Sequence, residues 1–182
     1  MADCLEKTAS RHSGFTLVEL MIILAVASIL VTVGIPSYMN MTASNRVTTA
    51  SNNLVMALNL AKSEAVRSST NSILCKINAA GNGCDNASTW DQGWFLYSDT
   101  NGDDAFDAAD RIIRVQSALT PDLNFNFFAG NFIRFTPSGR TNQNGRFCFE
   151  NSYDGDNSRA VVITQAGRFR TEKRTANSNC AS

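Results

Sequence analysis

The sequence predicts an α+β protein, one long N-terminal helix followed by an antiparallel β domain. Three observations predict it: an apolar run from Phe15 to Ile35, a helical apolar period that resumes beyond Pro36, and short alternating segments from Asn71 onward. At 182 residues, 43% of them hydrophobic, the chain can close one real core with length left for an appendage.

The apolar run is the first element. Its twenty-one residues, "FTLVELMIILAVASILVTVGI", would rise about 30 Å as a helix, the thickness of a bilayer's hydrocarbon core. Lys7, Arg11 and His12 flank it on the N-terminal side and should stay cytoplasmic, which sends the rest of the chain outward. The run is too long for a secretory signal and is not followed by small residues at a cleavage site. Glu19 is its one charged residue. A carboxylate there costs about 2.5 to 3.5 kcal/mol on insertion scales, so something must offset it. An amino group would do so, and cutting after Gly14 would create one on Phe15, a single helical turn before Glu19.

Beyond Gly34, Pro36 removes a backbone donor and clashes with the preceding turn, which predicts a kink or local melting. The helix then resumes to about Arg67. Val47, Leu54, Leu58, Ala61 and Ala65 recur at helical spacing and form one apolar face that should pack on a sheet. From Asn71 the period shortens. "NSILCKI", "QGWFLYS", "RIIRVQS", "LNFNFF", "NFIRFTP", "GRFCFE", "RAVVIT" and "GRFRT" read as strands, separated by turn segments such as "TNGDD", "PSGRTNQNG" and "QAG". The expected organisation is a leader over 1–14, a membrane half-helix over 15–36, an amphipathic half-helix over 37–70 and a β-rich domain over 71–182. No internal repeat or low-complexity tract is evident.

The formal net charge of zero conceals segregation. Residues 71–133 hold 3 basic and 8 acidic side chains, whereas residues 134–182 hold 8 and 4. Such a division bears on partners. Five cysteines stand at 4, 75, 84, 148 and 180, and losing the leader leaves an even set. Outside the cytoplasm that set suggests disulfides; four cysteines allow three pairings, and nearest-neighbour pairing joins Cys75 with Cys84 and Cys148 with Cys180.

"GFTLVEL" with the apolar helix behind it resembles the class III signal of type IV pilins and type II secretion pseudopilins. The resemblance implies a type IV pilin-like fold, cleavage between Gly14 and Phe15 by a prepilin peptidase, N-methylation of Phe15, and a role for Glu19 in docking onto a neighbouring subunit's N-terminal amine. It further implies a single-pass inner-membrane protein with a periplasmic C-terminal domain, later carried into an extracellular filament of other pilin subunits. Over Phe15 to Arg170 the chain is more loosely similar to the group of minor pilins and pseudopilins that includes GspH, FimU and FimT.

FimT-like members of that group are associated with DNA uptake in natural transformation and carry a C-terminal Gly-Arg-x-Arg element, which Gly167, Arg168, Phe169 and Arg170 match. Read as a strand, this element would set Arg168 and Arg170 on one face about 6.6 Å apart and turn Phe169 to the core. Two such guanidiniums can each hold a phosphate of double-stranded DNA, and Gly167 permits the turn that presents them. Lys173 and Arg174 extend the patch, and Arg146 and Arg159 can join it from neighbouring strands. Binding of this kind is sequence-independent and weakens with salt. The alternative is a structural tip or priming subunit, or a type II secretion pseudopilin, with no nucleic-acid ligand.

Two other readings are weaker. Asp99, Asn101, Asp103 and Asp110 occupy the first, third, fifth and twelfth positions of an EF-hand-like loop, but Asp104 replaces the turn glycine and Asp110 the longer glutamate. The loop reads as an Asp/Asn/Gly turn, with calcium as the alternative. The only histidine, His12, falls in the leader, and no phosphate-binding glycine loop or CxxC motif is present. Neither an enzyme nor a cofactor is expected.

Overall fold

The computed structural model describes residues 14–120, 123–127, 130–151 and 158–174. The chain divides into two compact units, Met1–Met39 and Asn40–Ser182.

Helix α1 spans Leu17–Ser68. Among the described residues it is the one helix long and apolar enough to cross a bilayer, and none of its apolar window is buried. Pro36 lies inside it, yet the helix continues through that position, so the expected local melting does not occur. The missing donor is a single bond in a ladder whose neighbours persist. In the second unit the helix buries Val47, Ala50, Leu54, Ala57, Leu58, Ala61 and Ala65, each three or four residues from another of the set, the spacing that puts them on one face. Small residues at 50, 57, 61 and 65 let the sheets approach closely. The second unit holds the second half of α1 in one body with the strands.

Among the described residues eight strands follow: β1 Asn71–Lys76, β2 Trp94–Asp99, β3 Arg111–Gln116, β4 Leu123–Phe127, β5 Phe132–Phe135, β6 Gly145–Asn151, β7 Ser158–Ile163 and β8 Phe169–Arg174. They form two four-stranded sheets with orders β3-β2-β1-β5 and β4-β6-β7-β8. All neighbouring pairs are antiparallel. The helix face, Leu74 and Leu96 of the first sheet, and Phe125, Phe147, Phe149, Val161 and Ile163 of the second share one core. Aromatic stacking tightens it, with Phe125 and Phe149 4.2 Å apart and Phe127 and Phe147 4.1 Å apart.

Cys75 and Cys84 form a disulfide beside the Ile77–Cys84 bridge. Cys148 is also disulfide-bonded; its expected partner Cys180 lies outside the described residues. Glu64, buried on α1, is held by Arg67 of the next turn and by Arg111 of β3. The hydrogen bond from Arg67 lowers its pKa, burial pushes the other way, and the charges of Arg111 and Arg67 add to the lowering.

Candidate nucleic-acid interface and assembly segment

The basic segment is built on a tight hairpin. The Gly167 amide donates to the Thr164 carbonyl at 2.8 Å, the Thr164 amide donates to the Arg168 carbonyl at 2.9 Å, and Gly167 takes φ +70°. This is a type I turn closed by a left-handed glycine bulge, and the left-handed residue is where glycine is needed. Arg168 therefore sits on the bulge, one residue before β8, and not within the strand as expected. The shared-face argument from strand pleating does not reach it. Phe169 is half-buried against the core, whereas Arg168 and Arg170 are exposed.

What brings Arg168 and Arg170 together is a groove of roughly 610 Å³ between α1 and the hairpin, lined by Asn59, Lys62, Thr164, Arg168, Phe169 and Arg170, among others. Lys62 donates to the Gly167 carbonyl at 2.9 Å and fastens the turn to the helix. An ammonium has three donors, so two remain for the groove. Arg170 is partly engaged, its Nε donating to Glu172 Oε1 at 2.6 Å in an exposed pair. Exposed pairs contribute about 0 to 1 kcal/mol, too little to prevent exchange for a phosphate.

The remaining cations fall into two sets. Arg146 on β6 and Arg170 on β8 are both in register with Val162, one row across the sheet. Arg159 and Lys173 are in register with each other. By pleat alternation they belong to the opposite face from Arg170, so they do not extend its patch. Arg174 ends β8 in register with Ser158.

Sequence reasoning missed Lys62, which is 105 residues from its partner. Nothing local marks it. It also passed over the likeness of "TPSGR" and "TQAGR", two short strings sharing threonine, glycine and arginine at the same spacing.

The acidic loop between β2 and β3 uses its carboxylates internally. Buried Asp99 accepts the amides of Gly102 at 2.7 Å and Asp104 at 3.3 Å, Asp103 accepts that of Ala105, Asp107 that of Ala109, and Asp110 those of Thr100 and Asp107. Asn101 donates to both Asp103 and Asp107 at 3.0 Å. Asp104 adopts φ +62° where an EF-hand would have glycine, and pairs with Arg134 of β5. Among the described residues, no group of three or more His, Cys, Asp or Glu is placed to share a metal ion. Burial, and then the charges of Asp99, Asp110, Asp104 and Asp103, push the Tyr97 phenol upward, and its hydroxyl donates to the Asp104 carbonyl at 3.1 Å.

At the other end of the chain, Thr16 caps α1. Its Oγ1 accepts the Glu19 amide at 3.2 Å, and its carbonyl accepts that of Leu20. Thr16 and Glu19 have capping-box spacing, which puts Glu19 in the first turn, where a negative charge is favoured by the helix dipole. Gly14 and Phe15 precede the helix and are exposed. The bond between them is thus in non-helical, accessible chain.

The sequence matches the family model described as type II transport protein GspH over residues 50–167, and the prokaryotic N-terminal methylation motif over residues 9–35. No curated protein matches it by sequence. Among solved structures, the type IV minor pilin FimU of Pseudomonas aeruginosa (strain PAO1) is similar with a TM-score of 0.57 and 21% identity, over 72% of this chain and 92% of that one. The minor pseudopilin EpsH from the type 2 secretion system of Vibrio cholerae is similar with a TM-score of 0.52 and 13% identity, over 70% and 97%. At such identities the likeness is one of fold.

Proposed function

Because the chain belongs to the GspH family of minor pilins and pseudopilins, we propose that it is a pilus subunit whose β7–β8 hairpin holds double-stranded DNA during uptake. One observation carries the reading. The groove beside the hairpin gathers Lys62, Arg168 and Arg170, cations from two parts of the chain, with both guanidiniums exposed. Guanidiniums hold phosphate through paired N–H donors, and such contacts carry little sequence information. Arg146 supports the same row; Arg159 and Lys173 would contribute to the general field.

Family membership implies prepilin peptidase processing and assembly with other pilin subunits. The proposal places the cut between Gly14 and Phe15, the methyl group on Phe15, and the docking carboxylate at Glu19. Before assembly the apolar half of α1 anchors the protein in the inner membrane. Glu19→Ala should then reduce incorporation into filaments while leaving leader removal intact; unchanged filament content would refute the assignment.

For DNA, the full chain in non-ionic detergent is titrated with a short labelled duplex. Affinity should fall steeply between about 50 and 200 mM salt, as counterion release requires. Binding that does not respond to salt would exclude phosphate contacts. A second reading, a structural subunit of a type II secretion pseudopilus, draws on the description of the matching family and predicts no DNA binding at all.

A further inference from the structure

We infer that Arg140 is a further phosphate contact, set beside Arg168 by a five-residue turn that the chain uses twice; this rests on the DNA reading of the β7–β8 hairpin. Thr136 to Arg140 repeats the geometry of Thr164 to Arg168. In each, the glycine amide donates to the threonine carbonyl at 2.8 Å, and the threonine amide donates to the arginine carbonyl at 2.9 Å. The threonine hydroxyls also reach the arginine carbonyls, at 3.2 and 3.3 Å. Gly139 and Gly167 take nearly the same left-handed φ, +73° and +70°.

The two turns are docked on each other at their glycines. Both glycines are buried, and a Cβ on Gly167 would run into the Gly139 carbonyl. Thr141 ties them further, its amide donating to the Gln165 carbonyl at 3.0 Å and its hydroxyl to that of Thr164 at 3.1 Å. Lys62 lies along both, its Nζ on the Gly167 carbonyl and its Cε 3.1 Å from the position a Gly139 Cβ would take. One turn leaves β5 of the first sheet and the other joins β7 to β8 of the second, so the docking brings a cation from each sheet to one place.

Each arginine directly follows its buried glycine and is itself exposed. The Gly139 carbonyl carbon is 3.0 Å from the Gly167 Cβ position. With consecutive Cα atoms 3.8 Å apart, the Arg140 and Arg168 backbones lie within roughly 11 Å. Among the described residues neither guanidinium has an acidic partner, whereas Arg67, Arg111, Arg134 and Arg170 each have one. A duplex strand carries a phosphate every 3.4 Å or so along its axis, so two unpaired guanidiniums at this separation can engage one strand together.

The experiment compares wild type, Arg140→Gln, Arg140→Lys, the Arg168→Gln, Arg170→Gln double variant and Arg114→Gln, as full chains in non-ionic detergent with a short labelled duplex across salt. Arg114 is on β3, at the sheet edge opposite β5, and controls for loss of charge alone. Arg140→Gln should weaken binding about three- to tenfold and reduce the salt slope by about one, with lysine restoring most of both and melting temperature unchanged. If Arg140→Gln matches wild type or Arg114→Gln while the double variant loses binding, the inference is overturned and the DNA reading stands. A double variant that binds like wild type overturns the DNA reading and the shared site with it.

Discussion

Between Asp99 and Asp110 five carboxylates crowd into twelve residues, and between Arg168 and Arg174 four cations crowd into seven. In the acidic loop, carboxylates accept backbone amides of their own loop, as buried Asp99 does with Gly102 and Asp104. In the basic hairpin the turn is held by backbone bonds and by Lys62, and Arg168 is left exposed. The difference follows from donor and acceptor chemistry. A carboxylate can satisfy the unpaired amides that any tight loop contains, but a guanidinium has only donors and finds few free acceptors in a turn already closed. Two dense charge runs therefore do different things, one stabilising a loop and the other remaining available to an outside anion.

The sharpest way to break this comparison is at the glycines that shape each turn. Gly167→Ala should destabilise the protein by roughly 3 kcal/mol, since left-handed strain adds to the clash with Gly139. Gly102→Ala, also at positive φ but facing open space, should cost about 1 kcal/mol. Urea unfolding of both variants measures the gap, and equal losses would show that the docked turns do not constrain the hairpin.

Next in size, Asp99→Ala should lower stability by about 2 kcal/mol because two loop amides lose a buried charged acceptor. DNA affinity should not weaken. A loss of affinity would mean that the acidic loop shapes the interface.

Glu64 lies between the extremes, a buried carboxylate matched by two guanidiniums. Its pKa is lowered in the folded protein, so its contribution is present above the ordinary carboxylate value and is lost as pH falls through the folded-state value. A stability profile of Glu64→Gln against pH should lose part of the acid limb seen in wild type. Parallel profiles would remove Glu64 as its cause. The smallest effect is expected at Glu172→Gln, which frees Arg170 and should tighten DNA binding about two- to threefold. Weaker binding would mean that Glu172 orients Arg170 for its ligand.

The eight strands among the described residues were legible because each alternates or sits between turn residues, and "GRFCFE" needs no tertiary information to be read. The helix face from Val47 to Ala65 was legible for the same reason of period. Lys62 was hidden because its partner is far along the chain, and the doubled turn because three shared residues in five rise little above chance. The placement of Arg168 was misread because a glycine bulge delays the start of β8 by one residue, a shift that the alternating pattern of "GRFRT" does not reveal. The docking of Gly139 on Gly167 depends on how the two sheets meet, which no local pattern encodes.

The most direct measurement sets the two charged regions side by side: duplex affinity and its salt slope for wild type, for Arg168→Gln with Arg170→Gln, and for Asp103→Asn with Asp107→Asn. The arginine pair should lose about tenfold or more and reduce the slope by about two, while the aspartate pair stays within about twofold of wild type. Equal and opposite shifts, as net charge alone would produce, or an arginine pair that binds like wild type, would contradict the account.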